Sequence, residues 1–130
     1  MTILPPWLRF AVVGTVGFVV DAGVLLGLIE AFGAHPVLAR GISVPVAVWA
    51  TWYLNRRFTF EARGDAWGSF LRYVVVSLGG AGVNVATYAA LMFSSSTFAT
   101  RPLAALAVAS VVALVFNYLG SKHFAFRRRV

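Results

Sequence analysis

The chain has 130 residues, 60% of them hydrophobic and only 12% charged. A soluble domain carries about twice that charged fraction, and a soluble core this small has no room for the apolar excess. The net charge of +7, from 11 Lys+Arg against 4 Asp+Glu, would point to nucleic acid in a soluble protein. Here the cations flank apolar runs instead, so anionic lipid is the expected partner and nucleic acid is not.

Taken in chain order, four segments reach the roughly 20 apolar residues that a spanning helix needs: 10–32, 37–54, 70–93 and 103–120. The first is too long for a signal-peptide core and has no convincing small-residue cleavage site, so a retained span is expected. None shows the alternation of a barrel strand, which leaves helices as the way to satisfy the backbone in lipid. His35-Pro36 and Arg101-Pro102 precede the second and fourth spans, where proline suits a helix start. Pro45 is expected to kink the second span. Trp7, Trp49, Trp52, Tyr53, Trp67, Tyr73 and Tyr118 fall mostly near the basic ends, as an interfacial aromatic belt does.

The cations assign a direction. Arg9, Arg56, Arg57, Arg63, Arg72, Lys122, Arg127, Arg128 and Arg129 fall on one side, while Arg40 and Arg101 fall on the other. By the positive-inside rule both termini and the middle loop are expected in the cytoplasm. The short loops around Gly33 and around residues 94–100 are expected outside.

The chain also repeats. Arg9-Phe10, Gly17 and Asp21 recur at one constant offset as Arg72-Tyr73, Gly80 and Asn84. Pro36, Phe58 and Phe60 recur at a second, slightly longer offset as Pro102, Phe124 and Phe126, the extra length falling in the second outer loop. The expected architecture is all-α. It is a single four-helix transmembrane domain over 1–130, built as two parallel-repeat helical hairpins, about 8–60 and 71–126, with both termini cytoplasmic.

Within the spans, Asp21 stands near the middle, where an acid costs about 2.5–3.5 kcal/mol on insertion scales. Arg40, near the start of the second span, is placed to reach down toward Asp21 or up toward Glu30. Two roles stay open for the acid: a structural ion pair, or part of an intramembrane polar path with Arg40, Asn84 and Asn117. Thr51, Ser43 and Ser110 read as interhelical hydrogen-bonding groups, and Gly23, Gly27 and Gly80 as small residues for close helix packing, within the bundle or between copies. At the basic ends, Asn55-Arg56-Arg57, Arg72 and Lys122 form a candidate phosphate-binding set, because arginine's fork holds two phosphate oxygens at once. The plainer role of these cations is topology and headgroup contact.

Other chemistry is lacking. With no cysteine, disulfides, thiolate metal sites and cysteine catalysis are excluded. His35 and His123 stand apart, so no metal site is expected. No catalytic constellation can be assembled, so neither an enzyme nor a cofactor is expected.

These residues together resemble the GtrA-like family of small four-span bacterial membrane proteins. The resemblance covers about residues 8–126. It rests on Arg9-Phe10 followed by Gly14, Gly17 and Asp21, on Ala39-Arg40, on Asn55-Arg56-Arg57-Phe58-Thr59-Phe60, on Arg72-Tyr73, and on Asn117 with Lys122 and Phe126. The fourth span departs from the family, which commonly has Asn-Phe and then an arginine where this chain has Asn117-Tyr118 and Lys122-His123. The resemblance implies translocation of a polyprenyl-phosphate-linked sugar across the cytoplasmic membrane of a bacterium, for cell-surface polysaccharide synthesis. The alternative is an adaptor that recruits a membrane glycosyltransferase, and a small multidrug or ion transporter stands behind both. Because four spans are few to enclose a path, a homo-oligomer is expected.

Overall fold

A computed structural model describes residues 3–127. Arg128 and Arg129, two of the cations used to assign direction, lie outside the described residues. Among those described, all regular structure is helical, with no strand. In chain order it comprises α1 (Pro6–Phe32), α2 (Pro36–Leu54), a π-helical turn π1 (Asn55–Thr59), α3 (Ala66–Ser94), the short α4 (Ser96–Ala99), α5 (Pro102–Gly120) and a second π-helical turn π2 (Ser121–Ala125).

Four of these stretches are long and apolar enough to cross a membrane: Pro6–Phe32, Pro36–Thr59, Ala66–Ser94 and Pro102–Ala125. They overlap the expected spans and outrun them. The first starts earlier, at Pro6, and the second and fourth continue through their π turns. The hydropathy of the run marks the hydrocarbon core, but the helix persists into the polar interface because its hydrogen bonds are internal. Pro45 lies inside α2, which is assigned as one continuous helix on both sides of it.

The chain divides into two compact units, residues 1–66 and 67–130. In the first, α1 packs against α2 across a short connection. Gly33 ends α1 in the left-handed conformation, at φ 63°, which glycine adopts without Cβ strain. The Ala34 amide then bonds back to the Leu28 carbonyl at 3.0 Å. His35 caps α2, its Nδ1 accepting from the Val37 amide at 3.2 Å, with Pro36 in the first turn. In the second unit the connection between α3 and α5 is longer and contains α4.

Packing in each unit runs along a ladder of small residues spaced four apart. In α2 and π1 the ladder is Ala39, Ser43, Ala47, Thr51, Asn55 and Thr59; in α5 and π2 it is Ala105, Ala109, Ala113, Asn117, Ser121 and Ala125. Every rung is buried or half-buried. Small side chains at this spacing lie on one helix face and let a neighbouring helix approach closely. The opposite glycines complete the fit. A Cβ on Gly17 would collide with the Thr51 side chain, and one on Gly80 with the Asn117 amide. Gly23 and Gly27 behave differently: a Cβ there meets nothing within 4 Å. Within this chain the close packing falls on Gly17 and Gly80 rather than on that pair. Ser110 is exposed on α5.

Candidate functional site

The polar groups expected in the spans occupy distinct places in the two units. In unit 1, Asp21 sits well inside α1, about three turns before its end at Phe32. Arg40, in the first turns of α2, folds toward it, and its Nη1 donates to Asp21 Oδ2 at 2.6 Å. Of the two partners open to Arg40 in the sequence, the structure selects Asp21. The arginine side chain is half exposed and that of Asp21 is 22% exposed. Ser43, fully buried one turn after Arg40, is a neighbour of the same carboxylate. Neither Ser43 Oγ nor Asp21 Oδ1 completes a hydrogen bond.

In unit 2, Asn84 lines an open groove of about 350 Å³ with Val85, Tyr88, Pro102, Leu103 and Leu106. Its lining is mostly apolar. Asn117, on the ladder of α5, packs against Gly80, and its Oδ1 is buried without a hydrogen bond.

At the basic ends the arginines bind backbone. Each π turn closes with an amide bonded five positions back, Phe60 to Asn55 at 2.9 Å and Phe126 to Ser121 at 2.8 Å. Widening the turn in this way leaves carbonyls without helical partners. Arginines from the preceding long helix fill that need. Arg9 Nη1 donates to the Phe58 carbonyl at 2.5 Å. Arg72 donates from Nε to the Phe124 carbonyl at 3.1 Å and from Nη2 to the Ala125 carbonyl at 3.1 Å. Beside each clasp an aromatic pair packs at a tilt: Phe10 with Phe60 at 6.1 Å between centroids, and Tyr73 with Phe126 at 5.7 Å. Clasps and ring pairs fall at matching positions of the repeat, both on the long helices and at the π turns.

The candidate phosphate set is therefore divided, with Asn55, Arg56 and Arg57 in unit 1 and Arg72 and Lys122 in unit 2. Asn55 is buried, and its Oδ1 accepts from the Thr59 hydroxyl at 2.8 Å. Arg56 Nη2 donates to the Gly64 carbonyl at 2.7 Å, which ties π1 to the loop where Gly64 takes a φ of 90°. Arg57 and Lys122 are exposed, and the Arg57 guanidinium lies 5.8 Å from the Phe58 ring centroid, a cation–π contact that orients it. The described residues contain no cluster of three or more His, Asp or Glu able to hold a metal ion.

Two groups carry more than the sequence reading gives them. Arg9 stands there only as a topology marker, yet its equivalence to Arg72 in the repeat is visible. Ser43 stands there as general hydrogen-bonding material, although it follows Arg40 at a spacing that places both on one helix face.

No curated protein sequence matches the chain. The family model described as GtrA/DPMS, transmembrane domain, does match, over residues 9–126. That stretch takes in both arginine clasps, both π turns and the four apolar helices, the first of them from Arg9 onward, and the chain is a multi-pass membrane protein that belongs to the GtrA/DPMS transmembrane-domain family.

Proposed function

We propose that the chain moves a polyprenyl-phosphate-linked sugar across the cytoplasmic membrane of a bacterium. Family membership supports a membrane protein of lipid-linked sugar pathways. The observation that carries the finer reading is the Asp21–Arg40 pair, charged groups held 2.6 Å apart inside apolar helices. Charges are costly in hydrocarbon and mark substrate routes when they occur there. A sugar crossing unaided would leave each hydroxyl without a partner, at a cost of about 2 kcal/mol or more apiece. Polar groups within the spans of each unit, Asp21 and Arg40 in one and Asn84 and Asn117 in the other, offer substitutes for water, while the hydrocarbon tail stays in lipid. At the cytoplasmic end of each unit an exposed cation, Arg57 in one and Lys122 in the other, is available to phosphate, and Arg56 with Asn55, and Arg72, hold the π turns that present them. The protein works without a cofactor and is not itself an enzyme. It sits among anionic lipids and assembles as a homo-oligomer around the path.

The test is transport by the purified protein in liposomes. Asp21→Ala should abolish flipping of a labelled polyprenyl-phosphate sugar while the variant stays folded. Normal transport by that variant removes Asp21 from the route.

A second reading has its own observation. A Cβ added at Gly23 or Gly27 meets nothing within 4 Å, so these two small positions offer room for a helix of a membrane glycosyltransferase to approach. Under this reading the protein is an adaptor, and the unmutated chain flips nothing in the same liposomes until its enzyme is added.

A further inference from the structure

The two units use matching contacts, so each position in α1 or α2 has a counterpart at a fixed offset in α3 or α5. At the ion pair the match breaks, and it breaks as a set. Asp21 becomes Asn84, Arg40 becomes Leu106 and Ser43 becomes Ala109. The acid, its cation and the neighbouring hydroxyl are all replaced by neutral or apolar groups. The flanking features survive: Gly17 and Gly80 pack tightly, Ala39 and Ala105 are fully buried, and both clasps form. Where Arg40 folds over Asp21 in unit 1, unit 2 has an open groove with Asn84 and Leu106 in its wall. Joint replacement against a retained scaffold is what a three-member site produces. Three unrelated packing choices would have no reason to change together.

The chemistry of the trio is specific. Arg40 holds one carboxylate oxygen, Oδ2. The other, Oδ1, and the Ser43 hydroxyl are both enclosed; the hydroxyl lies near enough to act on the carboxylate, yet neither atom completes a hydrogen bond of normal geometry, which leaves the pair to be bridged. Buried polar atoms of this kind call for a partner. Together they present an acceptor beside a group that donates and accepts. An alcohol is the complement: it donates to Asp21 Oδ1 and accepts from Ser43 Oγ. A phosphate is not, because it brings negative charge to a carboxylate. We propose that Asp21, Arg40 and Ser43 form an intramembrane binding site, present only in unit 1, for a hydroxyl of a neutral sugar. Arg40, half exposed at 51%, holds the remaining carboxylate oxygen and so fixes the acid in place. The proposal deepens the transport reading by naming the group that the polar route recognises, and it takes its choice of ligand from that reading.

A water molecule shares the hydroxyl chemistry, so the experiment must separate the two. The full chain, in nanodiscs of zwitterionic phospholipid, is titrated with octyl β-glucoside below its micellar concentration and, separately, with octyl phosphate. One glucoside per chain is expected. Ser43→Ala should weaken it about tenfold, as loss of a hydrogen bond in a charged site does, with octyl phosphate binding unchanged and Ser43→Thr restoring the glucoside. Rebuilding the trio in unit 2 with Asn84→Asp, Leu106→Arg and Ala109→Ser should raise the count to two. Glucoside affinity unaltered by Ser43→Ala would mean that only water fills the site and would overturn the proposal, as would a folded triple variant that still binds one. Because the readout is binding, a chain that binds glucoside through Ser43 but moves no lipid refutes transport and leaves this site standing.

Discussion

At the scale of the residue, the glycines and the ion pair carry unequal weight, and geometry says which matter. Gly17 and Gly80 face side chains that a Cβ would strike, whereas Gly14 and Gly23 face open space. Gly80→Ala and Gly17→Ala should each destabilise the detergent-solubilised protein by about 1–3 kcal/mol, the range for overpacking, seen as a lowered thermal midpoint. Gly14→Ala and Gly23→Ala should leave that midpoint nearly unmoved. The ion pair is asymmetric in a similar way. Arg40 is long, half exposed and near a helix end, so without Asp21 it can extend toward the interface. Asp21 is short and lies mid-helix with no such exit. Arg40→Leu should therefore lower the thermal midpoint more than Asp21→Ala does. Combining Asp21→Asn with Arg40→Leu should recover most of the loss, because it removes both charges together.

At the scale of the element, the unusual feature is the pair of π turns that end α2 and α5. A π turn is uncommon and exposes carbonyls that the α-helix would satisfy. Each is closed by an arginine reaching from the start of the long helix before it, Arg9 in one case and Arg72 in the other. The clasp fixes the segment bearing Arg56 and Arg57, or Lys122, relative to the helix it packs on. Arg72→Gln should raise amide hydrogen exchange across Ser121–Ala125 by about tenfold or more, since hydrogen bonds from a charged donor contribute about 1.5–3 kcal/mol. Exchange in the middle of α3 should stay as it was. Arg72→Lys should rescue only partly, because an ammonium point charge cannot serve two carbonyls with the planar geometry of the guanidinium.

At the scale of the whole molecule, four apolar helices make a multi-pass membrane protein, and the cations give it an orientation to be tested. Absence of cysteine makes the test direct, since single cysteines can be placed in an unmodified background. A cysteine at Gly64 should be labelled by a membrane-impermeant maleimide only after the cells are opened. One at Ser95 should be labelled in intact cells. The reverse pattern would turn the protein over and move Arg57 and Lys122 to the outer face.

Much of this was legible in the chain. Apolar run length fixes four helices, because an unbroken apolar run of that length, without the alternation of a barrel strand, satisfies its backbone in lipid as a helix. The two repeat offsets showed that Arg9, Arg72, Phe60 and Phe126 recur, and hence that whatever contacts they make come in pairs, but not which contacts those are. The ladder of small residues was equally present, spaced by four from Ala39 to Thr59 and from Ala105 to Ala125, and needed only to be counted. The choice of Asp21 over Glu30 as the partner of Arg40 was not legible, because both lie within reach of a flexible side chain and only the packing of α1 on α2 selects between them. Nor was the role of Arg72, since a guanidinium suits a phosphate and a carbonyl alike, and the open carbonyls exist only once the turn has widened to π. What the sequence determined by itself was solvent and period, which are summed over many residues. Pairing emerges only when the chain is folded, because it depends on where two helices bring single atoms together.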